Sequence, residues 1–141
     1  GRQKGSVGDH LHLQADGALD ECLVDEDTFI PLDYKTKGSK PSAGDSERYY
    51  QTQLDEYSLL LKRSGRKVGN HAFLVYYTPN TVADRGAVAF DTTVIKIVTD
   101  PDRARMLFEK CVDLLAQECP PPTFGCEYCS YIARNQGEIK K

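Results

Sequence analysis

The sequence lacks the features of a membrane or secreted protein. No stretch approaches the roughly 18 consecutive apolar residues that a membrane span needs. The polar start, GRQKGS, has none of the apolar character of a secretory signal. The five cysteines are an odd number, which disfavours a complete disulfide framework. We therefore expect a cytoplasmic protein in a reducing compartment, with no membrane partner.

The chain also lacks net positive charge, since its formal charge is −3. A passive nucleic-acid binder is usually basic, so the overall charge gives no argument for such binding. Basic residues do cluster locally, and each cluster is either a solvated loop or a set of phosphate contacts. The clusters are Lys35, Lys37 and Lys40, then Lys62, Arg63, Arg66 and Lys67.

The composition that remains is ordinary for a globular protein, with 40% hydrophobic and 28% charged residues. A length of 141 residues suits one domain with one core. We expect a single domain over residues 1–141, with a flexible start at 1–10 and a cysteine-bearing tail at 119–141.

The first half of the chain predicts two strands and a helix. Residues 11–24 alternate weakly and break at an Asp-Gly pair, which is typical of a hairpin or a bulged strand. Residues 28–36 alternate as a second strand, in which Pro31 predicts an edge or a bulge because proline lacks a ladder donor. Asp45 or Ser46 is expected to cap a helix that ends near residue 63. Its buried stripe is Tyr50, Gln53, Leu54, Tyr57, Leu60 and Leu61.

The second half predicts two further strands and a helix. Residues 71–77 form a short apolar strand that is expected to stop at Thr78-Pro79-Asn80, and residues 94–98 form the next. Asp100 and Pro101 suit the cap and the first position of the last helix. The stripe of that helix is Ala104, Leu107, Phe108, Cys111, Leu114 and Leu115, which makes Cys111 a core residue.

A carboxylate–lysine set carries the strongest chemical signal. Asp33 and Lys35 share one face of the 28–36 strand, because alternate strand residues point the same way. A turn at residues 25–27 would bring Asp20, on the preceding strand, beside Asp33. Two carboxylates suit a hard divalent cation, and a lysine can orient water and stabilise charge on a phosphate. The alternative is that Asp33 and Lys35 form a solvated pair or a weak salt bridge.

The ordered motifs resemble the RecB-like branch of the PD-(D/E)XK nucleases, as in RecB nuclease domains and CRISPR-associated RecB-like exonucleases. They are Gly17-x-x-Asp20, Asp33-Tyr34-Lys35-Thr36 and Gln53-x-x-x-Tyr57, followed by a closing helix, prolines and Cys-x-x-Cys. The resemblance implies an α/β fold with a central mixed β-sheet flanked by helices, the restriction-endonuclease-like core. It also implies a Mg²⁺- or Mn²⁺-dependent DNA nuclease, exonuclease-like, in DNA repair, recombination or phage and CRISPR-related processing. A helicase or recombination partner is expected with it.

Carried over by position, the resemblance assigns a role to each motif residue. Asp20 and Asp33 match the metal ligands, and Tyr34 matches the residue that lends its carbonyl oxygen. Lys35 matches the catalytic lysine. Gln53 and Tyr57 match the helix motif that supports the active site, and core packing is a compatible role for both.

Two features of the family are incomplete here. Many relatives carry a further His or Glu on an upstream helix, and His10 and His12 lie too close to Asp20 to match it. Some relatives hold an iron–sulfur cluster with four cysteines, whereas Cys119, Cys126 and Cys129 offer three. Either a [4Fe–4S] cluster or a structural zinc needs four ligands. We therefore expect a vestigial pair at Cys126 and Cys129 rather than a cluster.

Two other functions stay open on the sequence alone. One is a catalytically weak DNA-binding or helicase-associated module of the same fold, which the missing upstream residue and the −3 charge favour. The other is a structural domain stabilised by a cysteine-bound metal.

Overall fold

Five strands, three helices and one 3-10 turn make up the regular structure of residues 16–135, the part of the chain that the computed structural model describes. Together they form an α/β fold with one mixed sheet and flanking helices, as predicted. The elements are β1 (Glu21–Asp25), β2 (Thr28–Thr36), α1 (Asp45–Arg63), β3 (Lys67–Val68), β4 (His71–Val82), a 3-10 turn (Asp84–Gly86), β5 (Val88–Val98), α2 (Pro101–Leu115) and α3 (Glu127–Asn135).

Strand β2 lies inside the sheet, whose order is β1-β2-β4-β5 with β3 also beside β2. β1 pairs with β2 antiparallel, with Glu21 opposite Leu32. On its other side β2 pairs in parallel with β4, with Asp33 opposite Leu74. Parallel neighbours need a crossover, and α1 supplies it. β4 and β5 then form a long antiparallel pair.

The expectation that Pro31 marks an edge or a bulge is wrong. Pro31 is buried, and it pairs in regular register with Cys22 of β1. On the opposite side of β2, pairing with β3 ends at Phe29 and pairing with β4 starts at Leu32. Pro31 therefore lies where the partner strand changes, and there a missing donor disrupts no ladder.

The core forms where α1 packs on the sheet face that carries Asp33 and Lys35. Leu54 of α1 is fully buried against Leu74, Tyr76 and Ile97 of β4 and β5. Tyr50 and Tyr57 line the edge of this cluster and are partly buried. Of the predicted helix stripe, Leu54 is fully buried and the other five residues are half-buried, whereas Asp55 and Ser58, outside the predicted stripe, are also fully buried.

The start of α1 differs from the prediction. The residue before the helix is Gly44, in the left-handed region at φ 82°, and no side chain caps the helix. Asp45 instead accepts hydrogen bonds from Lys37 Nζ at 2.9 Å and Ser42 N at 3.2 Å. Ser46 is buried with its Oγ 3.0 Å from Tyr76 Oη. Both expected caps are thus engaged elsewhere.

Helix α2 is fastened to α1 by a buried carboxylate. Asp55 is 1% exposed and accepts from Arg103 Nη2 and the backbone N of Asp100, each at 2.8 Å. Asp100 caps α2 by accepting from Asp102 N at 2.9 Å, as predicted. Of the predicted α2 stripe, Ala104 is buried and Phe108 is half-buried, but Cys111 and all three stripe leucines are exposed, so the prediction of Cys111 as a core residue is wrong. Those leucines are Leu107, Leu114 and Leu115.

Strands β4 and β5 run beyond the sheet as a two-stranded arm, residues 78–82 and 88–91. Strand β4 does not stop at Pro79, because β5 pairs with it as far as Val82 opposite Val88. A register shift between Pro79 and Thr81 accommodates the proline. The last pair between β2 and β4 is Thr36 with Tyr77, so the arm projects past the end of β2. Its tip is the 3-10 turn around Arg85.

Candidate metal centre

The register of β1 and β2, continued by one residue, would set the two predicted carboxylates opposite each other. Glu21 pairs with Leu32, so one further step along the antiparallel ladder places Asp20 opposite Asp33. Asp20 itself lies in a bend just before β1, not within the strand as predicted. Asp33 is 2% exposed, whereas Asp20 is exposed. One ligand candidate is therefore buried and the other faces solvent.

Gly17 explains how the segment before Asp20 approaches the helix. A Cβ at this position would lie 3.0 Å from Leu60 Cδ1 and 3.8 Å from a ring carbon of Tyr57. Glycine therefore allows the chain to pass close to α1. This close approach gives the spacing Gly17-x-x-Asp20 a physical meaning.

Asp20 also contacts Tyr34, the residue whose carbonyl oxygen is the third predicted ligand. Its Oδ2 accepts a hydrogen bond of 3.1 Å from the backbone N of Tyr34. The N–H and C=O of one strand residue point to the same side, so the Tyr34 carbonyl faces the same edge as Asp20. β1 begins only at Glu21, so its ladder does not extend to this carbonyl. Asp20 and the Tyr34 carbonyl thus share one edge of β2, beside the residue that follows Asp33 in the chain.

Gln53 joins the inner residues into one network. Its Nε2 donates to Asp33 Oδ1 at 3.1 Å and to Tyr57 Oη at 2.7 Å. Its Oε1 accepts from Lys35 Nζ at 3.2 Å. The structure therefore brings Asp33, Lys35, Gln53 and Tyr57 together, with every polar atom of the glutamine amide engaged.

The second oxygen of Asp33 is distinctive. Among the described residues, Oδ2 is buried and has no hydrogen-bond partner, and it forms an ion pair with Lys35, whose Nζ lies 2.5 Å away. A cation bound at this oxygen would therefore have to share it with the Lys35 ammonium.

The donors fit a hard divalent cation. Mg²⁺ is usually held by one or two carboxylates together with water, which Asp20, Asp33 and the Tyr34 carbonyl would allow. Within residues 16–135, no three His, Cys, Asp or Glu side chains converge as a metal site. Structural zinc needs four ligands, so the donor set at this edge suits a hard divalent cation rather than structural zinc.

A comparison of the sequence with protein families decides the family. The profile of the PD-(D/E)XK nuclease superfamily matches residues 8–134, which is nearly the whole chain. The chain belongs to the PD-(D/E)XK nuclease superfamily. This is a superfamily of nucleases, which act on nucleic acid and generally use divalent metal ions. A search of curated proteins found no match.

The five-stranded mixed sheet with flanking helices is consistent with the restriction-endonuclease-like fold of the PD-(D/E)XK superfamily. Among the helices of residues 16–135, none has the length and apolarity that crossing a bilayer requires.

The cysteines of this PD-(D/E)XK chain do not assemble as a cluster site in the described part. Cys126 precedes α3, a helix that the sequence reasoning treated as tail, and its Sγ accepts from Cys129 N at 3.4 Å. This backbone N–H, followed by a hydrogen bond from the Cys129 side chain, lowers the pKa of the Cys126 thiol. Cys119 is exposed and does not join them in a group of three. His10 and His12 lie outside the described residues.

Sequence reasoning missed one side chain of the site. Tyr50 was assigned only to the helix stripe, but its ring lies under the Lys35 ammonium, 4.7 Å from Nζ to the ring centroid. Tyr50 and Gln53 are three residues apart and share a helix face. That spacing beside the Gln53 motif is the signal that could have found it.

The basic clusters are partly occupied by partners within the chain. Lys37 pairs with Asp45 at 2.9 Å, and Lys67 pairs with Asp27 at 2.7 Å. Arg66 lies over the Phe29 ring at 4.8 Å. Lys40, Lys62 and Arg63 are exposed.

Proposed function

We propose that the chain is a Mg²⁺- or Mn²⁺-dependent deoxyribonuclease whose centre is Asp20, Asp33, Tyr34 and Lys35. The observation that carries the proposal is the β1–β2 register, whose continuation by one residue would set Asp20 opposite Asp33, together with the hydrogen bond from Tyr34 N to Asp20. Asp33 Oδ2, which is buried and has no hydrogen bond among the described residues, supports it.

Each residue has a distinct task in this proposal. A bound divalent cation supplies neutralisation of phosphoryl charge and lowers the pKa of water. Asp20, Asp33 and the Tyr34 carbonyl would hold it. Lys35 orients the attacking water and stabilises the negative charge that develops on the phosphate. Gln53 holds both Asp33 and Lys35 by hydrogen bonds, and Tyr57 anchors Gln53.

We further propose that the enzyme belongs to the RecB-like branch and acts as an exonuclease in DNA repair, recombination or phage and CRISPR-related processing. The order Gly17-x-x-Asp20, Asp33-x-Lys35 and Gln53-x-x-x-Tyr57 supports that branch. A cytoplasmic location and a helicase or recombination partner are proposed on the same analogy.

Cleavage of labelled DNA tests the proposal. Single- and double-stranded substrates are incubated with the protein in Mg²⁺, Mn²⁺ or EDTA, beside Asp33→Asn. Asp27→Asn is the matched control, because Asp27 is exposed in the β1–β2 turn and, within residues 16–135, pairs with Lys67 and Thr28 rather than with the site. We expect metal-dependent cleavage that Asp33→Asn abolishes and Asp27→Asn retains. Cleavage that survives Asp33→Asn in a clean preparation would count against this centre.

A second candidate is a DNA-binding or helicase-associated module that does not cleave. One observation favours it: Lys35 already neutralises Asp33 without a metal. It predicts DNA affinity that falls with salt and no cleavage with any divalent ion. Cleavage that depends on Asp33 would eliminate it.

A further inference from the structure

Lys35 has two contacts that do not depend on the Asp33 carboxylate. Its Nζ donates to Gln53 Oε1 at 3.2 Å and lies 4.7 Å from the centroid of the Tyr50 ring. Both partners are uncharged. If Asp33 bound a divalent cation, its Oδ2 would no longer be free to balance the ammonium, and these two contacts would remain.

The Tyr50 ring is held rigidly enough to serve as such a partner. Its edge packs on Tyr76 with ring centroids 6.4 Å apart at an interplanar angle of 63°. Tyr76 is 2% exposed, and its Oη lies 3.0 Å from the Oγ of the buried Ser46. Two buried residues therefore fix the ring beneath Lys35. An aromatic face attracts a nearby cation, more strongly where water is partly excluded, and the Lys35 side chain is 20% exposed.

We propose that Tyr50 is a positioning residue that keeps the Lys35 ammonium in the site by a cation–π contact while Asp33 is engaged by a cation. The inference rests on the proposed function, because it takes Asp33 as a metal ligand. Gln53 restrains the ammonium from one direction and the ring from another, so Lys35 stays near the phosphate rather than turning to solvent.

The neighbouring residue offers a matched control. Tyr49 also lies on α1 beside a cation, with Arg48 over its ring at 5.4 Å. It is 63% exposed and faces away from the core. Tyr49→Leu should therefore leave Lys35 and the cleavage rate unchanged, whereas Tyr50→Leu should lower the rate roughly three- to thirtyfold.

Loss of packing in Tyr50→Leu is separated from loss of the cation–π contact by fluorination. Tyr50→Phe keeps the ring, and phenylalanines with increasing fluorine content at position 50 keep its shape while weakening its attraction for a cation. We expect Tyr50→Phe to retain most activity and the rate to fall steadily along the fluorinated series, with DNA affinity constant. A rate that is flat along the series would overturn the proposal.

A second measurement does not require cleavage. The ring current of Tyr50 should shift the NMR signals of the Lys35 ε-methylene in the wild type, and Tyr50→Leu should remove that shift. We expect the shift to persist when Mg²⁺ is added. Its disappearance on Mg²⁺ addition would overturn the proposal. Absence of any Mg²⁺ response in the Asp33 signals would instead refute the metal site, which distinguishes failure of the two ideas.

Discussion

Replacing Lys35 with methionine should make the protein bind divalent cations more tightly while it stops cleaving DNA. Lys35 Nζ lies 2.5 Å from Asp33 Oδ2, so a cation at Asp33 meets a resident positive charge. Unit charges about 4 Å apart interact by ~4 kcal/mol at a dielectric constant near 20 and by ~1 kcal/mol in water. Because the Lys35 side chain is 20% exposed, we expect the repulsion between the ammonium and the bound cation to be about 2 kcal/mol. Its removal in Lys35→Met should raise the affinity for the cation roughly thirtyfold.

The same change should destabilise the metal-free protein. Without Lys35, the carboxylate of Asp33 is buried with Gln53 as its remaining partner among the described residues. We therefore expect the free energy of unfolding to fall by about 1–3 kcal/mol. Cation binding adds to the free energy of unfolding. Saturating Mn²⁺ should therefore raise the Tm of Lys35→Met by more than it raises the Tm of the wild type.

Calorimetric titration with Mn²⁺ and thermal unfolding with and without Mn²⁺ provide the assay. Lys37→Met is the matched control, because Lys37 lies on the same strand end but pairs with Asp45 rather than Asp33. Its Mn²⁺ affinity should equal that of the wild type. Equal or weaker Mn²⁺ affinity in a folded Lys35→Met protein would refute the electrostatic reasoning.

Three further outcomes follow from the packing and the thiols. Gln53→Leu leaves Asp33 Oδ1 without its hydrogen-bond donor, so urea unfolding should show a free energy of unfolding lower by about 1–3 kcal/mol. Cleavage should also be slower, and a stability equal to that of the wild type would contradict this prediction. Asp55→Ala removes the buried carboxylate that joins α2 to α1 and should lower the free energy of unfolding by about 3 kcal/mol. Hydrogen exchange should accelerate in α2 before it accelerates in the sheet, and uniform acceleration would argue against a local role of Asp55. The lowered pKa of Cys126 means that more of its thiol is thiolate at neutral pH. Alkylation followed by mass spectrometry should therefore show Cys126 modified before the exposed Cys111, with a difference in rate that shrinks as the pH approaches 9. Earlier reaction of Cys111 at neutral pH would contradict this prediction.

The part of the site that sequence could predict is the part that one strand and one helix determine locally. Strand periodicity places Asp33 and Lys35 on one face, and helix periodicity places Gln53 and Tyr57 on another. The structure sets these two faces against each other. The position of Asp20 followed from a turn that joins adjacent strands, although the residue lies just outside β1.

What the sequence could not predict depends on pairing between distant segments. The ring of Tyr50 meets Lys35 only because α1 crosses over β2 at a particular rotation, and no local pattern specifies that rotation. Pro31 was misjudged for the same reason, since its effect depends on where β3 ends and β4 begins. β3 has two residues, which is too short for any periodicity.

The expected core role of Cys111 failed for a different reason. An apolar stripe shows that a helix can be buried, but not that a partner covers its whole length. Among the described residues, α2 is fully buried only at Ala104, so the later part of its stripe remains exposed.

The arm formed by residues 78–82 and 88–91 offers a position at which a further sequence could be inserted. Its tip, around Arg85, is exposed and lies away from the core, and such loop tips tolerate insertion well. Five residues of strand carry that tip about 15 Å beyond the sheet, on the side where β2 ends at Thr36. A zinc finger or another sequence-reading module inserted there would be delivered to the same end of the molecule as Asp33 and Lys35. The arm is thus a position at which target choice could be engineered without changing the sequence of β2.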